Sequence, residues 1–337
     1  MAKQKIIYII LALSPIPVFF FSLFLGAYEI PPLTIIYMLF KKIISPFTRS
    51  PWPETYGAIL FDIRIPRIIL AMLVGVALSS SGATLQAIFR NPLVDPYILG
   101  LSSGAAFGCA ISIAFLPGVP IQLCAFIFGL LAAFITYGIA KTRREVPTLS
   151  LVLAGIIVSA LFFALVSIIK FMVDPHKLST MVYWLMGSLS LSDWKAIYTS
   201  APWIFVGCAP LFLMRWRLNA LSMGDEEAKS LGIDVGRERG MFIAASALAV
   251  ASAVSVSGII GWVGLMIPHM VRMLIGPDHK RLIPLSMTVG ASFMLLADDL
   301  ARIVTTFEIP VGIITTISGA PFFIYLLKRG GVKVWAP

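Results

Sequence analysis

Stretches of about twenty residues with almost no charge recur along this chain from end to end, and they constrain its fold more than any other feature. A helix of about 20 residues crosses a hydrocarbon core of about 30 Å. Lipid offers the backbone no hydrogen bonds, so a spanning segment must satisfy its own N–H and C=O groups. Ten such runs stand at 6–27, 68–89, 98–116, 121–140, 149–169, 196–214, 241–257, 259–270, 282–300 and 311–327. The alternating ten-residue segments of a membrane β-barrel are absent. The expectation is an all-α polytopic membrane protein with ten transmembrane helices and short extra surface helices, forming one domain over 1–337. The eighth run is short and contains Pro268, which fits a broken helix covered by protein or facing a water-filled cavity.

Composition agrees: 59% of the 337 residues are hydrophobic and 12% charged, against about 25% charged in a soluble domain. The net charge of +10 does not point to nucleic acid, because the basic residues sit in connections between apolar runs. Placing the amino terminus inside puts most of the 26 lysines and arginines on the inner side. These include Arg90, the 141–144 connection with Arg143 and Arg144, the 215–239 connection, Arg272, Lys280 and Arg281, and both ends with Arg329 and Lys333. That bias, and an even number of spans, expects both termini in the cytoplasm. The first run is too long for a signal-peptide core and no A-x-A site follows it, so it reads as a retained span. Cys109, Cys124 and Cys208 lie within apolar runs and read as small hydrophobes.

Three connections exceed a turn. Residues 29–67, on the outer side, carry six prolines and a 33–44 stretch fit to lie along the surface. Residues 174–194 open with Asp174-Pro175, a helix cap followed by proline at the first helical position. Residues 215–240, on the inner side, are the most polar part of the chain. There Asp225, Glu226 and Glu227 occupy the first turn of an expected helix, where acids complement the dipole, and Gly232 is placed to end it. This segment reads equally well as a docking element for a soluble partner or as a solvated link.

The chain has no G-x-x-x-x-G-K-[ST] loop to cradle a nucleoside triphosphate. Its energy source is then a separate subunit or an ion gradient. Ion-coupled carriers place carboxylates deep in their spans. Asp298 and Asp299 are the candidates here, and pairing with Arg302 one turn away is their plainer role. Nothing resembles a metal-ligand spacing or a hydrolytic motif. Gly104 with Gly108, and Gly75 with Ser79, mark close helix packing.

Four stretches carry a family resemblance: RIPRIILAMLVGVALSSSGATLQ from Arg64, RNPLVDPYILGLSSGAA from Arg90, GWVGLMIPHMVRMLIGPDHKRLIPLS from Gly261, and LADDLARI from Leu296 together with IPVGIITTISGAPFFIYLLKR from Ile309. Over 64–329 the chain resembles the cobalamin/ferric-siderophore class of ABC importer permeases. The resemblance implies a homodimer in the bacterial cytoplasmic membrane, two cytoplasmic ATPases that hold ATP and Mg, and a periplasmic or extracellular binding protein. It implies no cofactor in this chain. The cargo would be a ferric siderophore, haem, cobalamin or a molybdate/tungstate-type oxyanion. The segment Asp225, Glu226, Glu227, Ala228 and Gly232 is similar to the E-A-A-x-x-x-G coupling motif, with Glu227 where alanine is usual. The resemblance further implies that the fifth span lines the pore, which makes Thr148, Leu149 and Ser150 a candidate cytoplasmic gate; the same residues also suit an ordinary helix cap. Arg64, Arg67 and Arg302 would seat acidic residues of the binding protein, although snorkelling or pairing with Asp62, Asp298 or Asp299 also accounts for them. The alternatives in function are an ion-coupled secondary transporter, disabled by neutralising Asp298 or Asp299, and a membrane scaffold with no flux.

Overall fold

The computed structural model describes residues 2–26, 28–44, 51–142, 146–305 and 307–328. Arg143, Arg144, Arg329 and Lys333, used above for orientation, lie outside the described residues. The described chain is helical: α1 (Lys5–Phe24), α2 (Pro32–Ile44), α3 (Glu54–Phe89), α4 (Leu101–Phe115), α5 (Ile121–Ala140), α6 (Thr148–Met172), α7 (Pro175–Leu185), α8 (Trp194–Leu213), α9 (Arg217–Met223), α10 (Asp225–Ser230), α11 (Val235–Ser257), α12 (Val263–Ile275), α13 (His279–Ile303) and α14 (Val311–Lys328). Eight of these, among the described residues, are long and apolar enough to cross a bilayer. The shorter apolar α4 and α12 occupy the places of the third and eighth expected spans.

The central post is α3, whose residues beyond Arg64 are almost all buried. Its polar run Ser79-Ser80-Ser81-Gly82-Ala83-Thr84 tolerates that burial because every hydroxyl finds an acceptor: Ser80 Oγ bonds back to Val76 O (2.7 Å), Thr84 Oγ1 to Ser80 O (2.8 Å), and Ser81 Oγ reaches Ser246 O (3.5 Å). The small residues let neighbouring backbones approach. A Cβ on Gly75 would stand 2.2 Å from Gly290 O, and one on Gly108 would stand 2.3 Å from Cys124 O. The surface is apolar as well as the core: Phe134, Phe163 and Phe205 are more than 60% exposed, as contact with lipid allows.

The second span differs from expectation. Its helix begins at Glu54, within the stretch read as an outer connection. Pro66 does not start it, because residues Ala58–Arg64 are wound as a π-helix. The wider turn, with Ile65 N–H donating to Leu60 O, admits a proline inside a continuous helix. The 33–44 stretch, expected to lie along the surface, is part of the helix α2, which buries Ile35 and Met38 while Leu33, Tyr37 and Phe40 stay exposed. As expected, Asp174 caps α7, accepting from His176 N and Lys177 N. The Lys177 amide foremost, then that of His176, hold the Asp174 carboxyl below its usual pKa.

Two helices stop short, and the backbone freed there is covered by protein. Tyr97 Oη donates to Ile260 O (2.9 Å) and accepts from Ile260 N (3.3 Å). Gln86 Nε2 reaches Gly264 O (3.4 Å) and Leu265 O (3.3 Å) at the start of α12. Irregular backbone at membrane depth survives only with such partners.

Candidate functional site

Three of the connections expected on the inner side meet at α10, where Arg90, Asp225 and, through Arg239, Val146 come together. The first turn of α10 is Asp225, Glu226 and Glu227. Glu227 folds back over the helix entrance, so a Cβ on Gly224 would meet its Oε2 at 1.9 Å. The helix closes in a Schellman motif. Ile233 N bonds Ala228 O (3.1 Å), Gly232 N bonds Lys229 O (2.9 Å), and Gly232 takes φ +78°. Glu226, Glu227, Lys229, Ser230 and Leu231 are exposed on this element, together with Met223 just before it.

Ala228, by contrast, is fully buried. Ala228, named above as part of the candidate coupling segment, is therefore not on its exposed face. In so short a helix one residue must pack inward, and the alanine is the apolar one.

What fixes α10 is Arg239, which the sequence reading passed over. It is 4% exposed, and its Nη2 donates to Asp225 Oδ1 (2.7 Å) while its Nη1 donates to Val146 O (2.9 Å). Arg90, at the C-terminal end of α3, approaches the same Asp225 oxygen at 3.8 Å. One guanidinium therefore ties α10 to the strand of backbone that leads into α6 two residues later. A signal was available: an arginine in the second turn of a helix opposes the dipole and wants an anionic partner.

Thr148, Leu149 and Ser150 open α6 as expected, but its N-cap is Pro147 and no side chain caps it. The capping explanation for Thr148 and Ser150 is therefore set aside. Leu149 is 70% exposed, an apolar side chain at a helix end with no neighbour in this chain to cover it.

At the opposite end lie the three arginines. Arg67 grips Asp298 through Nε and Nη2 at 3.0–3.1 Å, and its Nη1 reaches Glu308 Oε1 at 2.8 Å. Arg302 pairs with Asp298 (Nε to Oδ2, 3.3 Å) and with Asp299, which also accepts from Ser22 Oγ. Arg64 donates to Leu23 O (2.8 Å) and to Tyr28 O. Arg64, Arg67, Arg302, Asp298 and Asp299 are all under 9% exposed. The expected seat of free guanidinium forks is thus corrected: these groups are buried and already engaged, because a cation at this depth requires a partner. Asp62, one of the partners considered, is exposed and outside the cluster, whereas Glu308 was not foreseen. Asp298 and Asp299 do pair with Arg302, as the plainer reading held.

An apolar-faced helical bundle with broken helices at its centre and a short, exposed acidic helix at one end defines a polytopic membrane protein. Residues 11–329 match the FecCD transport family, and the chain belongs to it. It is 46% identical, over 86% of its length and 88% of the relative's, to a probable iron chelatin transport system permease protein of Helicobacter pylori. Against the molybdate import permease MolB of Haemophilus influenzae it is 44% identical, covering 82% of this chain and 83% of that one. Against the cobalamin import permease BtuC of Halobacterium salinarum the figure is 43%, covering 83% and 76%. A solved structure described as "an inward-facing conformation of a putative metal-chelate type ABC transporter" superposes with TM-score 0.82 at 36% identity, covering 96% of this chain and 99% of that chain. The protein is a membrane-spanning permease subunit of the ATP-binding-cassette importer type.

Proposed function

We propose that two copies of this chain form the translocation path for a metal-bearing substrate, with the α10 end in the cytoplasm. The substrate is a ferric chelate, haem or cobalamin, or a molybdate-type oxyanion, in line with the names of the relatives. In this reading the chain sits in the bacterial cytoplasmic membrane with both termini inside. The exposed ridge of Met223, Glu226, Glu227 and Leu231 receives an ATPase subunit, which carries the ATP and Mg. A binding protein delivers cargo to the opposite face, where the half-exposed Glu308 and the rim above Arg67 are the accessible parts of the ionic cluster. Leu149 meets its counterpart in the second copy and, with Thr148 and Ser150, closes the path.

The observation that carries the reading is the Arg239 link between α10 and the entry to α6. It converts a displacement of a docked helix into a displacement of the proposed gate. The test is ATP-driven uptake of a ferric chelate in proteoliposomes containing the chain, its ATPase and its binding protein. Met223→Glu with Leu231→Glu is expected to release the ATPase in a pull-down and abolish uptake, with the bundle intact. Wild-type ATPase retention in that variant would place the docking surface elsewhere.

A further inference from the structure

At the end of the bundle opposite α10, the helix α2 is apolar on two sides. Ile35 and Met38 pack into the core, as a helix lying on protein requires. Leu33, Ile36, Tyr37, Phe40 and Ile44 recur at steps of three and four residues and so share one stripe about 100° wide. All five are exposed, Leu33 by 82% and Ile44 by 76%. Lys41 falls beside this stripe and Lys42 on the far side of the helix, so no charge interrupts it. A continuous apolar stripe of this kind marks a surface that something covers.

The neighbours of α2 set its level in the membrane. Helix α8 has 20 residues, which makes it about 30 Å long, the thickness of a hydrocarbon core. Its first residue, Trp194, therefore stands at the membrane surface, where tryptophan is enriched. Trp194 Nε1 donates to Phe61 O (2.9 Å). The Phe61 ring has the Lys42 ammonium 5.6 Å from its centre and the Trp52 ring at 6.5 Å. Tyr37, on the stripe itself, meets Trp52 edge-on at 6.2 Å and has the Lys41 ammonium at 6.0 Å. Ring by ring, α2 is tied to the level at which α8 enters the bilayer. The stripe also follows directly on the exposed apolar end of α1, at Phe20, Phe21 and Phe24, and on exposed Tyr28.

We propose that α2 is an interfacial helix seated in the phospholipid leaflet at this end of the bundle. Its stripe of Leu33, Ile36, Tyr37, Phe40 and Ile44 meets the upper acyl chains, and Lys41 and Lys42 meet lipid phosphates. The proposal needs only that the helices span a bilayer, and it holds for either orientation of the chain. A docked protein is the rival occupant, but it would have to reach a stripe level with headgroups that already fill the space.

The experiment places a nitroxide at Ile36→Cys, at Phe40→Cys and, as the control within a span, at Phe20→Cys. The full chain is assembled with its ATPase in nanodiscs of phosphatidylethanolamine and phosphatidylglycerol. Cys109, Cys124 and Cys208 are buried, and labelling of the unaltered chain supplies the background. Dissolved oxygen, which partitions into lipid, and a water-soluble nickel chelate then compete to relax each label. At positions 36 and 40 oxygen is expected to be at least about threefold the more effective, as for a face about 5–10 Å into the headgroup and acyl boundary. Adding the binding protein should leave both rates unchanged. If a substitution lowers the yield, lipid brominated near its headgroup should still quench Trp52 in the unaltered sequence, isolated by difference from Trp52→Phe. Relaxation dominated by the nickel chelate, or no Trp52 quenching, overturns the proposal. So does loss of access to both agents: on adding the binding protein it would make the stripe that protein's seat, and before its addition a contact between copies of this chain.

Discussion

Replacing Arg239 by methionine removes the fork that joins α10 to the entry of α6 while keeping an apolar stem of similar length. Two charge-assisted hydrogen bonds are lost, to Asp225 and to Val146 O. A buried bond of this kind is worth about 1.5–3 kcal/mol. The Asp225 carboxylate, however, is 39% exposed and rehydrates, so its share falls to about 1 kcal/mol. The Val146 carbonyl loses a partner under buried residues, at a cost of about 1–3 kcal/mol. The expected loss is therefore about 2–4 kcal/mol, seen as a lower thermal midpoint in detergent. Arg239→Lys, which keeps the charge without the fork, should fall between. A cycle with Asp225→Asn isolates the ion pair, with an expected coupling of about 1 kcal/mol. In proteoliposomes the variant should still bind ATPase through the exposed ridge and hydrolyse ATP, yet take up less cargo per ATP. Fully additive effects of Asp225→Asn and Arg239→Met, with unchanged uptake per ATP, would refute the link.

Asp298→Ala strands Arg67 and Arg302 without their shared carboxylate and should cost about 3–5 kcal/mol, read as collapse of the detergent-stable yield. Because Arg64 faces two carbonyls, Arg64→Glu is expected to fail in the same way, so wild-type stability in either variant would contradict the burial of the cluster. Gly232→Ala should cost about 1–2 kcal/mol from its left-handed backbone alone, since an added Cβ meets nothing within 4 Å; a neutral result in thermal unfolding would argue against the Schellman stop. Ala228→Arg should lower the folded yield, and a stable, merely uncoupled variant would show that Ala228 faces out. Leu149→Cys should cross-link between two copies in at least one nucleotide state, and absence of cross-linking in every state would remove Leu149 from the gate.

The sequence by itself located the apolar runs, because a hydrocarbon core acts on each segment separately and about twenty uncharged residues answer it locally; it did not show that the second helix begins as early as Glu54. It also determined the caps. Asp174 before a proline and Gly232 after an acidic turn are instructions read within four residues, and both helices end where these residues say. Asp298 and Asp299 could be matched with Arg302 for the same reason, being three and four residues away. Arg67, which grips Asp298 across 231 residues, could only be offered that aspartate among several partners. What closed the distance was the packing of α3 against α13, a product of small residues facing each other at Gly75 and Gly290. The same holds at the other end. That Ala228 points inward, that Arg239 collects Asp225 and Val146, and that α12 starts only at Val263, where Gln86 and Tyr97 cover the broken backbone, depends on which helices lie side by side. Hydrophobicity and capping are local fields, whereas the partner of a buried charge or an orphaned carbonyl is chosen by the fold as a whole.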